Sequence, residues 1–373
     1  MKKIISFILS AILLIPCISL FSSCSKTSYE LVLITNGGGV TNKDYDQSAW
    51  DGMTEFAIEY NLDCRYFIPS STTYDGLLAQ VRSAADDGAK TIITTGKDFE
   101  LVINTVQREY PDVKFILLDG MPHPADTQVD DALNNTASIV FNAEQAGFSA
   151  GYAAVYDGYT KLGFIGGFPD TDTKAYGYGF LQGAKYAADL LGVNAEVSYQ
   201  YVNSTEKSDE NKEKAKTMCE GDVDLVFTSG GSLEQSVIDA ATDKRCKVIC
   251  SDTDKRHVSS AVLTSAVKDI SSSVKSVLHS IYVTKDFERA YGGKITYSGA
   301  GLATFVVNDI NGDAFDRFTK FTKAEYEKIQ TKLLSGEITV KRDIQTVNKD
   351  GYATAEELIN GLVLEGMTIN VVQ

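Results

Sequence analysis

The sequence predicts an α/β protein with two doubly wound parallel-sheet lobes joined by a hinge of several strands. Three observations support this prediction. Short apolar runs rich in β-branched residues alternate with helical patterns over most of the chain, and many runs end in glycine or a polar loop. The same rhythm begins again near the middle, although the sequence itself does not repeat. After removal of a leader about 350 of the 373 residues remain, more than one core usually serves.

The first 23 residues are predicted to be a lipoprotein signal peptide. A charged start precedes an apolar run at 4–20, and small uncharged residues lead to Cys24. Cleavage would leave Cys24 as the lipid-bearing first residue, with residues 24–28 as a short tether to the membrane. A retained membrane anchor is the alternative, which Pro16 and the serines of the run disfavour.

The stretch after the leader contains the first candidate binding loop. An apolar strand from Leu31 ends in three glycines at 37–39, and a polar loop with one tyrosine leads into a helix predicted to begin near Ser48. In open parallel sheets small ligands bind beyond the carboxyl ends of the strands. We therefore expect ligand contacts between Asn36 and Gln47.

The remaining elements follow from periodicity and turn residues. Further strands of the first lobe are predicted at 64–68, 91–94, 113–118 and 137–141, and its later helices at 74–87 and 99–110. In the second lobe strands are predicted at 161–165, 195–202, 223–228 and 246–250, and helices around 180–191, at 212–218 and after a capping box formed by Ser232 and Gln235.

The last third is predicted to pass between the lobes. A strand at 261–264 precedes an amphipathic helix at 265–282, strand-like runs at 294–297 and 303–307, and helices at 324–334 and 356–362. Crossings are expected at Asn142 and Thr264. The N-terminal lobe then comprises 29–142 and 264–292, the C-terminal lobe 143–263 and 293–336, and residues 337–373 form a C-terminal extension.

Composition excludes several kinds of partner. The 35 Lys and Arg against 50 Asp and Glu give a net charge of −15, which argues against binding nucleic acid or anionic lipid headgroups. The three histidines are scattered without other metal ligands at suitable spacing, so neither a metal nor a cofactor is expected. The remaining cysteines are interpreted as buried thiols, with a disulfide or metal site as the alternative; they are Cys64, Cys219, Cys246 and Cys250.

Residues 147–151 match the G-x-S-x-G motif of serine hydrolases, with Ser149 at its centre. A nucleophile elbow needs a strand directly before its serine, but the predicted strand ends near Asn142. Small residues at 143, 146, 147, 150 and 151 instead share one helical stripe, which would let a helix pack closely on the sheet. Helix packing is therefore favoured over catalysis.

Three residues are candidates for ligand contacts from their chemistry and place. Tyr45 could stack on a planar ligand or cover the packing of its own loop. Asp252 follows a predicted strand and could accept hydrogen bonds from two vicinal hydroxyls, or cap the next turn. Lys268 could donate to sugar oxygens, pair with Asp252, or remain solvated. The glycines at 37–39 and 230–231 match no phosphate-binding motif, so close backbone approach to a neutral ligand is favoured.

Several short segments appear together in one order, and in that order they resemble the basic membrane protein family of lipoproteins. The segments are residues 33–38, 44–52, 117–120, 163–167, 179–183, 227–231, 251–254 and 263–268. The resemblance covers roughly residues 29–336. The family consists of substrate-binding proteins of ABC transporters, several of which bind purine nucleosides.

The resemblance implies a type I periplasmic-binding fold, with the base between aromatics and the ribose held by acidic and basic side chains. Transferred position by position, Tyr45 resembles the stacking aromatic, Asp46 the polar residue beside it, and Asp252 and Lys268 the ribose contacts. Gly230 corresponds to backbone near the sugar.

Three positions depart from the family pattern. Asn36, also a candidate contact, stands where the family usually has aspartate, and Asp46 where asparagine is usual. Thr205 stands where an aromatic is common.

These observations lead to one main hypothesis: a monomeric, lipid-anchored receptor on the extracytoplasmic face of the cell membrane. It would bind a nucleoside-like small molecule, with purine nucleosides favoured, and deliver it to an ABC permease. No catalytic residue is assigned. The alternatives are a surface adhesin or sensor that retains the fold, and a hydrolase that uses Ser149.

Overall fold

The fold contains two largely parallel β-sheets, one in each lobe. The structure is a computed structural model, and it describes residues 29–41, 44–303, 313–342, 354–360, 362 and 364–372. The predicted signal peptide, Cys24 and the tether lie outside these residues, as does most of the predicted strand at 303–307. No helix in the described part of the chain is long and apolar enough to cross a membrane.

The strands are numbered in chain order within the described residues. They are β1 (Leu31–Ile34), β2 (Cys64–Phe67), β3 (Thr91–Thr95), β4 (Lys114–Leu118), β5 (Thr136–Phe141), β6 (Lys161–Gly166), β7 (Glu196–Tyr201), β8 (Leu225–Ser229), β9 (Lys247–Asp252), β10 (Val262–Lys268), β11 (Lys294–Ser298), β12 (Ala300–Leu302) and β13 (Thr368–Val371).

The helices are numbered in the same way. They are α1 (Tyr45–Tyr60), α2 (Tyr74–Asp86), α3 (Glu100–Glu109), α4 (Ala143–Asp157), α5 (Thr171–Leu191), α6 (Asp209–Glu220), α7 (Leu233–Lys244), α8 (Ile270–Tyr282), α9 (Phe287–Ala290), α10 (Lys323–Leu334) and α11 (Ala355–Asn360). A single 3₁₀ turn, Lys97–Phe99, precedes α3.

The strands form one sheet in each lobe. The first sheet has the order β11-β5-β4-β3-β1-β2, and all its neighbours are parallel. The second has the order β12-β10-β9-β8-β6-β7-β13, in which only β12 is antiparallel to its neighbour. Central strands such as β1, β3 and β8 are buried at every position, because helices cover both faces of such sheets.

Within the described residues the chain passes between the lobes at three places, next to Asn142, Asp269 and Gly299. These crossing segments are bonded to one another. The backbone N–H of Asn142 donates to Ser298 O at 3.1 Å, and that of Asp269 donates to Gly299 O at 3.0 Å. The three segments therefore form a hinge of connected strands, and the first crossing coincides with the position predicted from sequence.

The second crossing differs from the prediction at Thr264. Residues 265–268 continue β10 in the second sheet, where Ser265 pairs with Cys250 and Val267 with Asp252. All seven residues of β10 are buried, so Ser265, where the amphipathic helix was expected to begin, belongs to a buried strand. The helix α8 begins only at Ile270 and packs on α1 of the first lobe.

Strand pairing also changes how the later segments are divided between the lobes. The strand β11 pairs with β5 in the first sheet, whereas residues 293–336 were all assigned to the C-terminal lobe. The last described strand, β13, pairs with β7 at the edge of the second sheet, so part of the predicted extension at 337–373 completes that lobe. Sequence periodicity does not reveal either pairing, because the partners lie more than one hundred residues apart.

Small residues allow α4 and α5 to cross closely. A Cβ at Gly147 or Gly151 would meet the backbone of α5, and one at Gly179 or Gly183 would meet the backbone of α4. Gly147 and Gly151 of the predicted stripe therefore pack on a helix, while α4 also contacts β10 and β12 of the second sheet. Glycine is needed at this crossing because nothing larger than hydrogen fits between the two backbones.

Candidate ligand-binding site

One buried ammonium group joins the carboxyl ends of strands from both lobes. Lys268 ends β10, and its Nζ lies 2.7 Å from Asp119 Oδ2, 3.0 Å from Asp172 Oδ2 and 3.0 Å from Asp252 Oδ1. Asp119 follows β4 of the first sheet, Asp252 ends β9 of the second, and Asp172 lies in the first turn of α5. We call Lys268 and these three aspartates the central cluster.

Burial and charge act against each other in the central cluster. Burial alone would lower the pKa of Lys268, but the surrounding carboxylates raise that pKa well above its usual value. Burial would raise the pKa of Asp252, yet the ammonium groups of Lys268 and Lys255 outweigh burial and lower it. Burial and the nearby Asp172 raise the pKa of Asp119 to about 7. Three carboxylates thus share one ammonium, which leaves acceptor capacity for a ligand that carries hydroxyl groups.

Aromatic rings surround the same ammonium. Lys268 Nζ lies 5.5 Å from the ring centre of Tyr45, 5.6 Å from that of Tyr176 and 5.9 Å from that of Phe141. The rings of Tyr45 and Phe141 meet edge to face, with centroids 6.5 Å apart and planes at 84°. The Tyr176 hydroxyl donates to Asp252 Oδ1 at 3.1 Å, which fixes one oxygen of that carboxylate.

Tyr45 opens α1 rather than lying exposed in a loop. The side chain of Asp44 accepts from the Tyr45 N–H at 3.0 Å and caps the helix, which begins at Tyr45, three residues before the predicted start near Ser48. The Tyr45 hydroxyl is buried and makes no hydrogen bond of normal geometry within the described residues, as is also true of Asp119 Oδ1. Burial, followed by the charge of Asp119, raises the pKa of this phenol well above its usual value.

Two aspartates of the central cluster have left-handed backbone conformations. The φ of Asp119 is 54° and that of Asp252 is 63°, each directly at the carboxyl end of a strand. Residues other than glycine adopt this conformation at an energetic cost, and such strain is often found at binding sites.

At the end of the neighbouring strand β8, Gly230 has a φ of 146°. A Cβ there would lie 2.9 Å from the backbone of Gly167, so only glycine fits.

A second polar group lies in the first lobe, behind Tyr45. Asp46 accepts from the Thr95 hydroxyl at 2.6 Å and from the Asn36 backbone N–H, and burial raises the pKa of its carboxyl group. The side-chain amide of Asn36 donates to Asp98 at 2.8 Å, whereas its Oδ1 is buried without a hydrogen-bond partner in the described chain. The structure therefore places Asn36 and Asp46 together, next to the ends of β1 and β3.

Two ion pairs connect the lobes outside the central cluster. Lys97 Nζ lies 2.9 Å from Asp170 Oδ2, and Lys255 Nζ lies 3.3 Å from Asp44 Oδ1. Lys255 also lies 3.1 Å from a carboxylate oxygen of buried Glu234. These contacts are further links between the two lobes.

A sequence model for the family described as ABC transporter substrate-binding protein PnrA-like, Bmp, matches residues 30–343. The chain belongs to this family.

Members of the Bmp family align with this chain over nearly its full length. Basic membrane protein A of Borreliella burgdorferi is 27% identical over 94% of this chain and 97% of its own length. The ABC transporter nucleoside-binding protein BmpA of Lactococcus lactis is 25% identical over 84% of this chain and 90% of its own length.

A solved solute-binding protein of an ABC transporter system from Aeropyrum pernix K1 superposes with a TM-score of 0.69 at 18% identity. It covers 90% of this chain and 98% of its own chain. This likeness shows the fold, and the predicted fold class is confirmed.

Family membership settles the broad class of activity. The chain is a substrate-binding protein of an ABC transporter, which works outside the cytoplasm with a small-molecule ligand and a membrane permease as its partners. The family consists of binding proteins rather than enzymes.

The hydrolase alternative is wrong on structural grounds. Ser149 lies within α4 and is fully buried, and its hydroxyl donates to Gln145 O at 2.9 Å, one turn earlier. A nucleophile elbow requires an exposed serine on a turn between strand and helix.

The predicted capping box at Ser232 is also wrong. The Ser232 hydroxyl donates to Thr205 O at 2.9 Å and does not cap the helix that follows.

The structure brings Tyr45, Asp252 and Lys268 together, as the sequence analysis expected. Sequence reasoning did not assign roles to Asp119, Asp172, Tyr176 or Phe141. Asp119 could have been found by the rule that identified Asp252, because both follow buried strands. Asp172 gave no such signal, since it lies within α5 and reaches Lys268 only through the packing of that helix.

The stability of the fold should depend on pH through Glu234. Burial raises the pKa of this carboxyl group to about 7 despite the nearby Lys255. An acid whose pKa is higher in the folded chain takes up a proton on folding, so stability falls as pH rises from about 4.5 to 7. In the Glu234→Gln variant, we expect the free energy of unfolding, measured with urea, to fall by about 2 to 3 kcal/mol less over this pH range than in the wild-type protein. Exposed Glu213→Gln is the control, and equal slopes in both variants would contradict the prediction.

Proposed function

We propose that this protein is a purine nucleoside receptor that delivers its ligand to an ABC permease. The central cluster, which joins both lobes beside aromatic rings, carries this proposal. A receptor that closes on its ligand needs contacts from both lobes that form only in the closed state. Asp119 supplies such a contact from the first lobe, and Asp252 with Lys268 from the second.

The chemistry of the cluster fits a flat base with an attached sugar. In the proposal the base packs against Tyr45, with Asn36 and Asp46 available for its polar edge. Asp252 accepts hydrogen bonds from ribose hydroxyls, and Lys268 donates to ribose oxygens. Gly230 allows close backbone approach to the sugar. The likeness to a relative named as nucleoside-binding supports this choice over a free sugar.

The proposed cellular arrangement completes the function. Lipidation of Cys24 would anchor a monomeric receptor on the extracytoplasmic face of the membrane. Replacing Cys24 by serine should release the protein from membranes and leave its ligand affinity unchanged. Metabolic labelling with a radioactive fatty acid measures the modification directly, and unchanged labelling of the Cys24→Ser variant would refute the assignment.

Titration calorimetry of protein without residues 1–24 tests the ligand. We expect purine nucleosides to bind one to one, and at least about tenfold more tightly than pyrimidine nucleosides, ribose or the free base. Saturable binding of ribose alone, with no gain from the base, would contradict a role for Tyr45. Silence across all nucleosides would remove the ligand proposal and favour an adhesin or sensor.

The cluster should exclude nucleotides. A 5′-phosphate adds a charge of about −1.5 to −2 to a site in which carboxylates already outnumber the ammonium group. We expect the 5′-monophosphate to bind at least about 100-fold more weakly than the nucleoside. The 5′-deoxynucleoside is the control for the lost hydroxyl and should bind within tenfold. Equal affinity for nucleoside and monophosphate would contradict the prediction.

A further inference from the structure

A short segment after α10 reaches the hinge from the far end of the C-terminal lobe. We call residues 336–342 the strap. Gly336 ends α10 with a φ of 74°, and Ile338 and Val340 pack against the main core. The backbone of Lys341 then pairs with the side-chain amide of Gln182 on α5, through hydrogen bonds of 3.0 and 2.9 Å. The strap is therefore bound along its length and delivers Arg342 to a fixed place.

Arg342 contacts parts of both lobes where the chain first crosses between them. Its Nη1 donates to Phe141 O at 2.9 Å and to Glu144 Oε2 at 3.1 Å, on either side of Asn142. Its guanidinium also lies 5.3 Å from the ring centre of Tyr297 on β11, beside another crossing. The side chain is largely buried, so these contacts form in a site that water screens only partly.

The same guanidinium lies next to the central cluster. Arg342 Nη2 is 4.0 Å from Asp172 Oδ1, and Asp172 Oδ2 is 3.0 Å from Lys268 Nζ. Asp172 thus has one oxygen toward each cation. Phe141, whose carbonyl Arg342 holds, contributes one of the rings around Lys268. Arg342 therefore acts on two groups that surround the binding lysine without contacting that lysine itself.

We propose that Arg342 is a positioning residue that holds Asp172 on Lys268 and links the strap to ligand binding. This inference rests on the proposed function only where its test measures ligand affinity. When Arg342 is removed, the carboxylates of Glu144 and Asp172 lose their shared counter-charge. Asp172 is then free to turn away from Lys268. A planar guanidinium suits this task because it can bond the Phe141 carbonyl and the Glu144 carboxylate while one edge faces Asp172.

The affinity arm of the test uses Arg342→Gln, Arg342→Lys, Asp172→Asn and the double variant Arg342→Gln with Asp172→Asn. We expect Arg342→Gln to weaken binding of the tightest nucleoside about tenfold, and Arg342→Lys to restore part of this loss. In the Asp172→Asn background the effect of Arg342→Gln should shrink to less than about threefold. Lys328→Gln, which breaks an ion pair with Glu325 on the surface of α10 and outside the strap, is the control and should leave affinity unchanged.

Hydrogen–deuterium exchange without ligand gives a second arm that does not depend on the nucleoside proposal. Arg342→Gln should speed exchange at residues 141–145, which it contacts directly, and also in the first turn of α5 at 171–175. A purely local structural role would affect 141–145 alone. Faster exchange confined to 141–145, or an equal affinity loss in the Asp172→Asn background, would overturn the proposal. If the wild-type protein binds no nucleoside, the exchange arm still decides it.

Discussion

Lys268→Met should abolish ligand binding and lower the free energy of unfolding by about 3 to 5 kcal/mol at pH 8. Methionine keeps a side chain of similar length but removes the charge that Asp119, Asp172 and Asp252 share. The buried carboxylate of Asp119 and the partly buried ones of Asp172 and Asp252 would then face one another without a counter-charge, which is more costly than losing a surface ion pair. Urea unfolding measures the stability, and calorimetry measures the binding.

The pH dependence of this variant separates charge from packing. Without Lys268 the carboxylates should take up protons more readily, so the loss of stability should be smaller at pH 5 than at pH 8. Lys275→Met is the matched control, because Lys275 pairs with Glu55 at 2.7 Å on the surface and should cost less than about 1 kcal/mol. Retained binding, or a loss of equal size at both pH values, would refute the electrostatic explanation.

Gly183→Val should be the most damaging substitution away from the ligand site. A Cβ at Gly183 would overlap the Phe148 carbonyl of α4, and valine adds two further methyl groups at that crossing. We expect the free energy of unfolding to fall by about 3 kcal/mol or more, or the protein to become insoluble. Urea unfolding followed by circular dichroism measures this.

Asp189→Val provides the control for that variant. It introduces the same β-branched residue on the exposed face of the same helix without a clash, and loses only a surface ion pair with Lys185. We expect a change of less than about 1 kcal/mol. Equal stability of the two valine variants would show that the helices can separate without penalty, contrary to the packing described here.

The sequence predicts those site residues that directly follow buried strands. Asp252 closes β9, where polarity changes abruptly after an apolar run, and Tyr45 lies in the first segment after a glycine-rich strand end. Lys268 is predicted as a polar residue beyond the apolar run 262–267, although the prediction assigns the first half of that run to a strand and the second half to a helix. Such positions are predictable because parallel strands end at one edge of a sheet.

The residues that sequence did not predict depend on tertiary contacts. Asp172 reaches Lys268 only because α4 and α5 cross closely enough to set the position of α5, and glycines at four positions permit that crossing. Arg342 reaches the hinge because the strap is held along α5, which no local pattern indicates. The predicted start of α8 is wrong because Ser265 of the buried strand β10 extends the run of serines on that helix and so imitates its polar face.

A crystal structure of the protein with its tightest-binding nucleoside would show whether the central cluster binds the ligand. We expect one ligand between the two sheets, with its base against Tyr45 and its ribose hydroxyls within hydrogen-bond distance of Asp252 and Lys268. A nucleoside bound elsewhere, or bound in the cleft without contact to Asp252 and Lys268, would contradict it.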